Sequence, residues 1–469
     1  MTLSKFPMSR ALAIAAALAA AGCTLGPDYR RPATALPAVY GDASPDQTSV
    51  VNPEWWKLFQ DALLDKLVAD ALENNTDLQL AIARVEEADA VLRQAGASLF
   101  PEFDLAGTGV RSRSSSSTTP PAIAPLVHDD LKMSLGTSFE LDFWGKLRRG
   151  RESTRDFVLA SRYGRDTIAL SIAGLVSQGY IALRSLDAQV AASRSSLETR
   201  DKALDLVKAR FAAGFSSELD LRQAESARAA VASQTADLAQ SRALAQHQLA
   251  LLTGDMALQI PPGRLDSLPL PPVPPAGLPS SLLESRPDVR QAEAQLAAAN
   301  AKIGVAKAAL FPSISLTAAL GSESAQLSHL FTSPSSIWTT GIGLTLPIFD
   351  AGLRAALVDQ ATAQQKEALA TYLKTVQSAF KDVKDALVSL RQTADKDAYA
   401  VAQVEAAKKA LTLSQARYES GYSPYLEMLD AQRTLNDATL SALRNRQARL
   451  SAAVDLFKAL GGGWKTLPR

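Results

Sequence analysis

The chain has 469 residues, with 49 lysines and arginines against 48 aspartates and glutamates, three histidines and one cysteine. That length allows two to four ordinary domains or one elongated one. Balanced charge lacks the basic footprint of a nucleic-acid binder. A single cysteine excludes an intrachain disulfide framework and a CxxC-type zinc site, and His128, His247 and His329 form no HExxH pattern. With no GxxxxGK[ST] phosphate loop and no Ser/His/Asp arrangement, neither an enzyme nor a metal centre is expected.

At the start, Lys5 and Arg10 flank a positively charged stretch, and Ala11 to Ala21 is an uninterrupted apolar run. It is too short to span a bilayer and fits a signal-peptide core, so residues 1–22 are expected to be removed. The run ends in Leu18-Ala19-Ala20-Ala21-Gly22-Cys23, which resembles a bacterial lipobox. That resemblance implies a covalent N-terminal lipid on Cys23, including an acyl chain of the palmitate class. Thr24 follows, not the Asp that would imply inner-membrane retention. No later stretch approaches 18 consecutive apolar residues, so any membrane crossing must be made by β-strands.

A Pro-rich stretch, Ile260-Pro261-Pro262 through Pro279, divides the chain, and the same signals recur in order on either side. Phe100-Pro101 corresponds to Phe311-Pro312, and Phe143-Trp144-Gly145-Lys146-Leu147-Arg148 to Phe349-Asp350-Ala351-Gly352-Leu353-Arg354. Arg210-Phe211-Ala212-Ala213-Gly214-Phe215-Ser216 matches Arg417-Tyr418-Glu419-Ser420-Gly421-Tyr422-Ser423. Each half reads helix, strand, strand, long helix, turn, long helix. The resulting division is residues 23–74 as an N-terminal segment, 75–259 as a first repeat, 260–284 as the Pro-rich linker, 285–457 as a second repeat and 458–469 as a tail.

After each Phe-Pro pair the apolar period becomes two. Leu131, Met133, Leu135, Thr137, Phe139, Leu141 and Phe143 alternate with Lys132, Ser134, Ser138, Glu140 and Asp142. Trp338, Thr340, Ile342, Leu344, Leu346 and Ile348 alternate with Thr339, Gly341, Gly343 and Thr345. Weaker strands are expected at Phe103–Val110 and Ile314–Leu320, with exposed connectors at Ser112–Asp130 and Ser322–Ser336. This is the length and pattern of membrane-barrel strands, with soluble hairpins as the other reading. Four strands cannot close a barrel, and an open edge is forbidden in lipid, so strands that span require an oligomer.

From about Arg155 to Phe211 no proline occurs, and Ile168, Ile172, Leu175, Gly179, Ala182, Leu186 and Val190 are spaced as a coiled-coil seam. Leu369, Tyr372, Val376, Phe380, Val383, Leu387 and Leu390 repeat that spacing. Further helices are expected at Asp77–Leu99 and Ser217–Thr253.

The order of Cys23-Thr24-Leu25-Gly26-Pro27-Asp28-Tyr29-Arg30-Arg31-Pro32, Trp55-Trp56-Lys57-Leu58-Phe59, Ser285-Arg286-Pro287-Asp288-Val289, both Phe-Pro pairs, Tyr425-Leu426-Glu427-Met428-Leu429-Asp430-Ala431 and Gly461-Gly462-Gly463-Trp464 resembles an outer-membrane factor of the TolC family, OprM/NodT type. The resemblance implies a mixed α and β membrane protein. Its homotrimer would join four strands per chain into a 12-stranded barrel in the outer membrane, continued by a periplasmic α-helical barrel with an equatorial belt. It implies an exit duct for drugs or other small molecules, anchored in outer-membrane lipid. Its partners would be a periplasmic adaptor (membrane fusion protein) and an inner-membrane efflux pump of the RND type.

The same resemblance places the channel aperture on Leu426, Glu427 and Asp430, and adaptor-docking tips at Gly214-Phe215 and Gly421-Tyr422. Leu426 and Asp430 are four apart, hence on one helical face. In the first half Leu219, Asp220 and Gln223 match them, so the acid of Asp430 is absent there. Ser423 stands where some relatives carry a basic latch residue, which leaves the latch open. Two other readings compete: a similar duct for metal efflux or protein secretion, and a lipid-anchored coiled-coil scaffold with no pore.

Overall fold

The computed structural model describes residues 24–33, 53–115, 117, 126–272 and 286–462. Cys23, the signal segment, Ser285, most of the Pro-rich stretch and Gly463-Trp464 lie outside the described residues. The chain divides into two compact units, one of Met1–Ala33, Arg84–Ser161 and Ala292–Tyr372, the other of Thr34–Ala83, Arg162–Gln291 and Leu373–Arg469. The principal helices are α1 (Ala62–Asn74), α2 (Thr76–Ala97), α3 (Lys146–Ala212), α4 (Glu218–Thr253), α5 (Pro287–Ala308), α6 (Leu353–Glu419) and α7 (Tyr425–Ala459).

The first unit holds one antiparallel sheet in the order β1 (Glu102–Arg113), β2 (Val127–Leu141), β3 (Ser313–Ser324), β4 (Ser336–Thr345). Residues directly opposite one another share a face. The register therefore lines up Leu105, Leu135, Leu320 and Trp338 on one side, and Phe139, Leu316 and Ile342 beside them. The other side carries Asp104, Gly136, Ala319 and Thr339, with Lys132 paired to Glu323 at 3.4 Å. Leu105, Leu320, Trp338, Ile342 and Leu344 are all exposed. The outer edges of β1 and β4 have no strand partner among the described residues.

The first hairpin runs further than the sequence pattern predicts, because polar pairs continue the ladder. Ser112 Oγ lies 2.9 Å from His128 Nε2, and Arg111 pairs with Asp129 at 3.6 Å. Conversely, Phe143, Leu346 and Ile348 fall beyond the strands. Pro347 cannot donate to a ladder, and the Asp142 carboxylate already accepts from the Leu147 and Arg148 amides that open α3. Asp350 does the same for α6, accepting from the Arg354 amide at 3.3 Å. The second connector is not featureless: it forms two 3₁₀ turns, Leu327–His329 and Ser333–Ser335.

In the same unit, residues 24–33 form a strap across α3 and α5. The Leu25 amide donates to the Trp144 carbonyl, Arg149 donates to Asp28 at 2.7 Å, and Asn300 donates to the Pro27 carbonyl at 2.8 Å. Arg31 and the Tyr29 hydroxyl both donate to Glu293. Gly26 has φ +99°, and a Cβ there would meet the Gly304 Cα at 2.5 Å, so the strap touches α5 through two glycines.

The second unit is helical. Its buried polar hub is Asp187, which accepts from Arg184 at 3.1 Å, Arg242 at 3.0 Å and the Gly263 amide at 2.9 Å. Arg184 and Arg242 also donate to the carbonyls of Pro261 and Ile260, tying the start of the Pro-rich stretch to α3 and α4. The seam expected on α6 is observed, with Tyr372, Val376 and Val383 buried. On α3 the buried face is rotated: Ala173, Val176, Tyr180, Leu183 and Asp187 are buried while Leu175 is 48% exposed. A hydrophobic pattern misses this face because Ser177, Arg184, Ser185 and Asp187, all buried, interrupt it. Among the described residues α3 is also the one helix long and apolar enough to cross a bilayer by composition, and 56% of that apolar stretch is buried inside the protein.

Candidate functional site

Helices α3 and α6 both end in a glycine turn. The Phe215 amide donates to the Arg210 carbonyl and the Gly214 amide to Phe211. In the second turn the Tyr422 amide donates to Arg417 and the Gly421 amide to Tyr418. Each is a Schellman end, which needs the left-handed conformation that Gly214 (φ +78°) and Gly421 (φ +81°) supply. The aromatic after each glycine projects outward: Phe215 is 79% exposed and Tyr422 is 80% exposed.

The two turns differ in how the next helix begins. Ser217 caps α4 in a capping box, its hydroxyl accepting from the Asp220 amide while the Asp220 carboxylate accepts from the Ser217 amide, both at 3.1 Å. Pro424 precedes α7 and makes no side-chain cap. So Asp220, matched in sequence to Glu427, serves as a cap. Glu427 instead accepts from Arg417 at 3.1 Å.

A small core joins the four helix ends. Ala203, Leu204 and Val207 of α3, Ala224 of α4, Tyr418 of α6 and Tyr425, Met428 and Leu429 of α7 are buried together. Tyr418 and Tyr425 meet edge-on, ring centroids 5.6 Å apart. Arg210 locks this core: its guanidinium donates to the Tyr418 carbonyl at 2.8 Å and lies 4.8 Å above the Tyr418 ring. The Tyr418 and Ser423 hydroxyls are buried and make no hydrogen bond.

Burying Tyr425, Met428 and Leu429 fixes which side of α7 faces out. Leu426, 58% exposed, and Asp430 share that outer face, with Glu427 beside them. The three aperture candidates are thus brought together on one exposed surface. Arg210, Tyr418 and Arg417 are the residues that sequence reading left without a role. Their signal was visible, since Arg210-Phe211 and Arg417-Tyr418 hold matching places before the two glycine turns.

The family model for outer membrane efflux proteins matches residues 67–255 and 278–462. The chain is 36% identical over 468 residues to the solvent efflux pump outer membrane protein SrpC of Pseudomonas putida, covering 97% of this chain and 98% of the relative. It is 35% identical over 465 residues to the cation efflux system protein CusC of Escherichia coli K12, covering 95% and 98%. Its fold is similar to the solved CmeC outer membrane channel of Campylobacter jejuni, with a TM-score of 0.88, 28% identity and coverage of 95% and 96%. An apolar-faced sheet, two glycine-turned helix pairs and a match along nearly the whole chain lead to one conclusion: this protein belongs to the outer membrane efflux protein family.

Proposed function

We propose that the protein is the exit duct of a tripartite efflux system, a homotrimer in which three four-stranded sheets close a 12-stranded barrel in the outer membrane. The observation that carries this reading is the sheet: its register puts a continuous exposed apolar surface on one face and polar residues on the other, and its two edges are unpaired. Such a face suits lipid, and such edges suit pairing of β1 in one copy with β4 of the next. A poreless scaffold has no use for either. The helices, read as two copies of one duplicated unit, would form the periplasmic tunnel. The segmentation at residues 75–259 and 285–457 follows that duplication, and the lipid on Cys23 would anchor the N-terminus to the membrane.

The aperture falls on Leu426, Glu427 and Asp430. Threefold symmetry gives a ring of carboxylates beside a ring of leucines, which favours cations and resists wetting. Arg210 on Tyr418 takes the part of the latch that Ser423 cannot play. Phe215 and Tyr422 offer exposed rings to a periplasmic adaptor, with an inner-membrane pump of the RND type supplying energy. The cargo is a drug or other small molecule; relatives named for solvents and for cations keep the cargo class broad.

Single-channel recording in a planar bilayer tests this. The purified protein gives small cation-preferring steps that enlarge in a Leu426→Ala/Asp430→Ala variant. Steps of equal size in both would move the constriction elsewhere, and no steps from an intact oligomer would overturn the duct.

A further inference from the structure

Among the described residues four arginines are almost wholly buried: Arg149, Arg184, Arg200 and Arg286. A buried guanidinium without a counter-charge is strongly disfavoured, because its desolvation is not repaid. Three of the four follow the rule. Arg149 pairs with Asp28 and Glu152, Arg184 with Asp187, and Arg286 with Asp288 and Asp382.

Arg200, on α3 and 3% exposed, does not. One of its terminal nitrogens donates to the Gln432 side-chain oxygen of α7 at 2.7 Å, and its Nε makes no hydrogen bond. The neutral Tyr425 hydroxyl is a second hydrogen-bond partner, and Arg433 adds like-charge repulsion. Asp437 acts on it only through its field, with no ion pair formed. Burial pulls its pKa below the ordinary guanidinium value.

The guanidinium lines a cavity of about 190 Å³ between α3, α6 and α7. Its other polar walls are Ser195, Ser196, Thr199, Gln432, Asn436 and Thr439, and no carboxylate is among the described residues that line it. The Thr199 and Thr439 hydroxyls donate to the Ser195 and Leu435 carbonyls and the Asn436 amide to Gln234, which leaves the Ser195 and Ser196 hydroxyls as donors beside a cation with no carboxylate partner.

We propose that this cavity is an anion site that holds one small oxyanion of the sulfate or phosphate class against Arg200. A tetrahedral ion offers acceptors in several directions at once, which suits a planar guanidinium edge met by the serine hydroxyls of α3. The volume suits a free inorganic ion. The bound ion supplies the counter-charge that Asp187 supplies to Arg184, and it joins α3 to α7 just behind the tip core. The proposal stands on Arg200 and its walls and does not depend on the duct reading.

The test is equilibrium binding of radiolabelled sulfate to the full-length, detergent-solubilised protein, with ionic strength held constant by sodium chloride. Saturable binding of one sulfate per chain is expected. Arg200→Gln should weaken it by about 10- to 100-fold, the worth of a charge-assisted hydrogen bond. Arg433→Gln, an exposed neighbour, should leave it unchanged. Ser195→Ala/Ser196→Ala, which keeps the arginine, should weaken it several-fold and decides the matter if Arg200→Gln fails to fold. Non-saturable uptake by the unmodified protein, equal binding by folded Arg200→Gln, or displacement of sulfate by an equal concentration of chloride would each overturn the site.

Discussion

Replacing Arg210 by alanine isolates the contact that holds the end of α3 to the end of α6. Two interactions are lost: a charged hydrogen bond to the Tyr418 carbonyl at 2.8 Å and a guanidinium 4.8 Å above the Tyr418 ring. The first is worth about 1.5 kcal/mol and the second about 0.5–1 kcal/mol at a half-buried site. A loss of about 2 kcal/mol raises the population of separated tips about 30-fold in each chain. The assay is open probability in a planar bilayer, measured on oligomers confirmed intact. Tyr418→Phe is the control, because it keeps both the ring and the carbonyl and deletes only a hydroxyl that makes no hydrogen bond. Arg210→Ala should open the channel, and Tyr418→Phe should leave it closed or close it further. An open probability unmoved by Arg210→Ala, or raised equally by both, would refute the latch.

Three further outcomes are expected. Ile342→Arg, on the apolar face of β4, should destabilise the membrane-inserted sheet by about 2–4 kcal/mol in urea unfolding from vesicles, while Thr339→Arg on the polar face costs far less. Gly26→Ala, which forces a Cβ onto Gly304, should free the strap and expose the Arg30–Arg31 bond to trypsin, visible as loss of the N-terminal fragment under native conditions. Asp156 provides a pH signature: burial, then repulsion from Glu152, raises its carboxyl pKa against the pull of Arg155. The folded chain therefore holds that proton more tightly than the unfolded one, and stability falls as pH rises from the unfolded pKa through the folded one. Asp156→Asn should accordingly raise the melting temperature at neutral pH, with the gain vanishing below about pH 4; a gain of equal size at both pH values would contradict this assignment.

Much of this was readable in the residues. Period-two alternation placed the strands and separated their apolar from their polar sides, because a sheet face is set by parity alone. Its limits appear where polar residues extend a ladder, as Ser112 and His128 do, since hydropathy gives no credit to cross-strand hydrogen bonds. The α3 seam was displaced for a related reason: Asp187 and Arg184 are buried as a pair, and each looks solvent-facing until its partner is known. At the tip, the glycine turns and the Leu426/Asp430 face followed from spacing and resemblance. Arg210 over Tyr418 did not, because the contact joins residues 208 apart in the chain.

The two buried hydroxyls at the second turn carry a consequence for energetics. Tyr418 Oη and Ser423 Oγ are buried with no hydrogen-bond partner, each at a desolvation cost of about 1–3 kcal/mol. Separating the tips lets water reach them and relieves that cost, which works against the hold of Arg210. Separation would also have to uncover Tyr425, Met428 and Leu429, so the two hydroxyls offset only part of what holds the tip together.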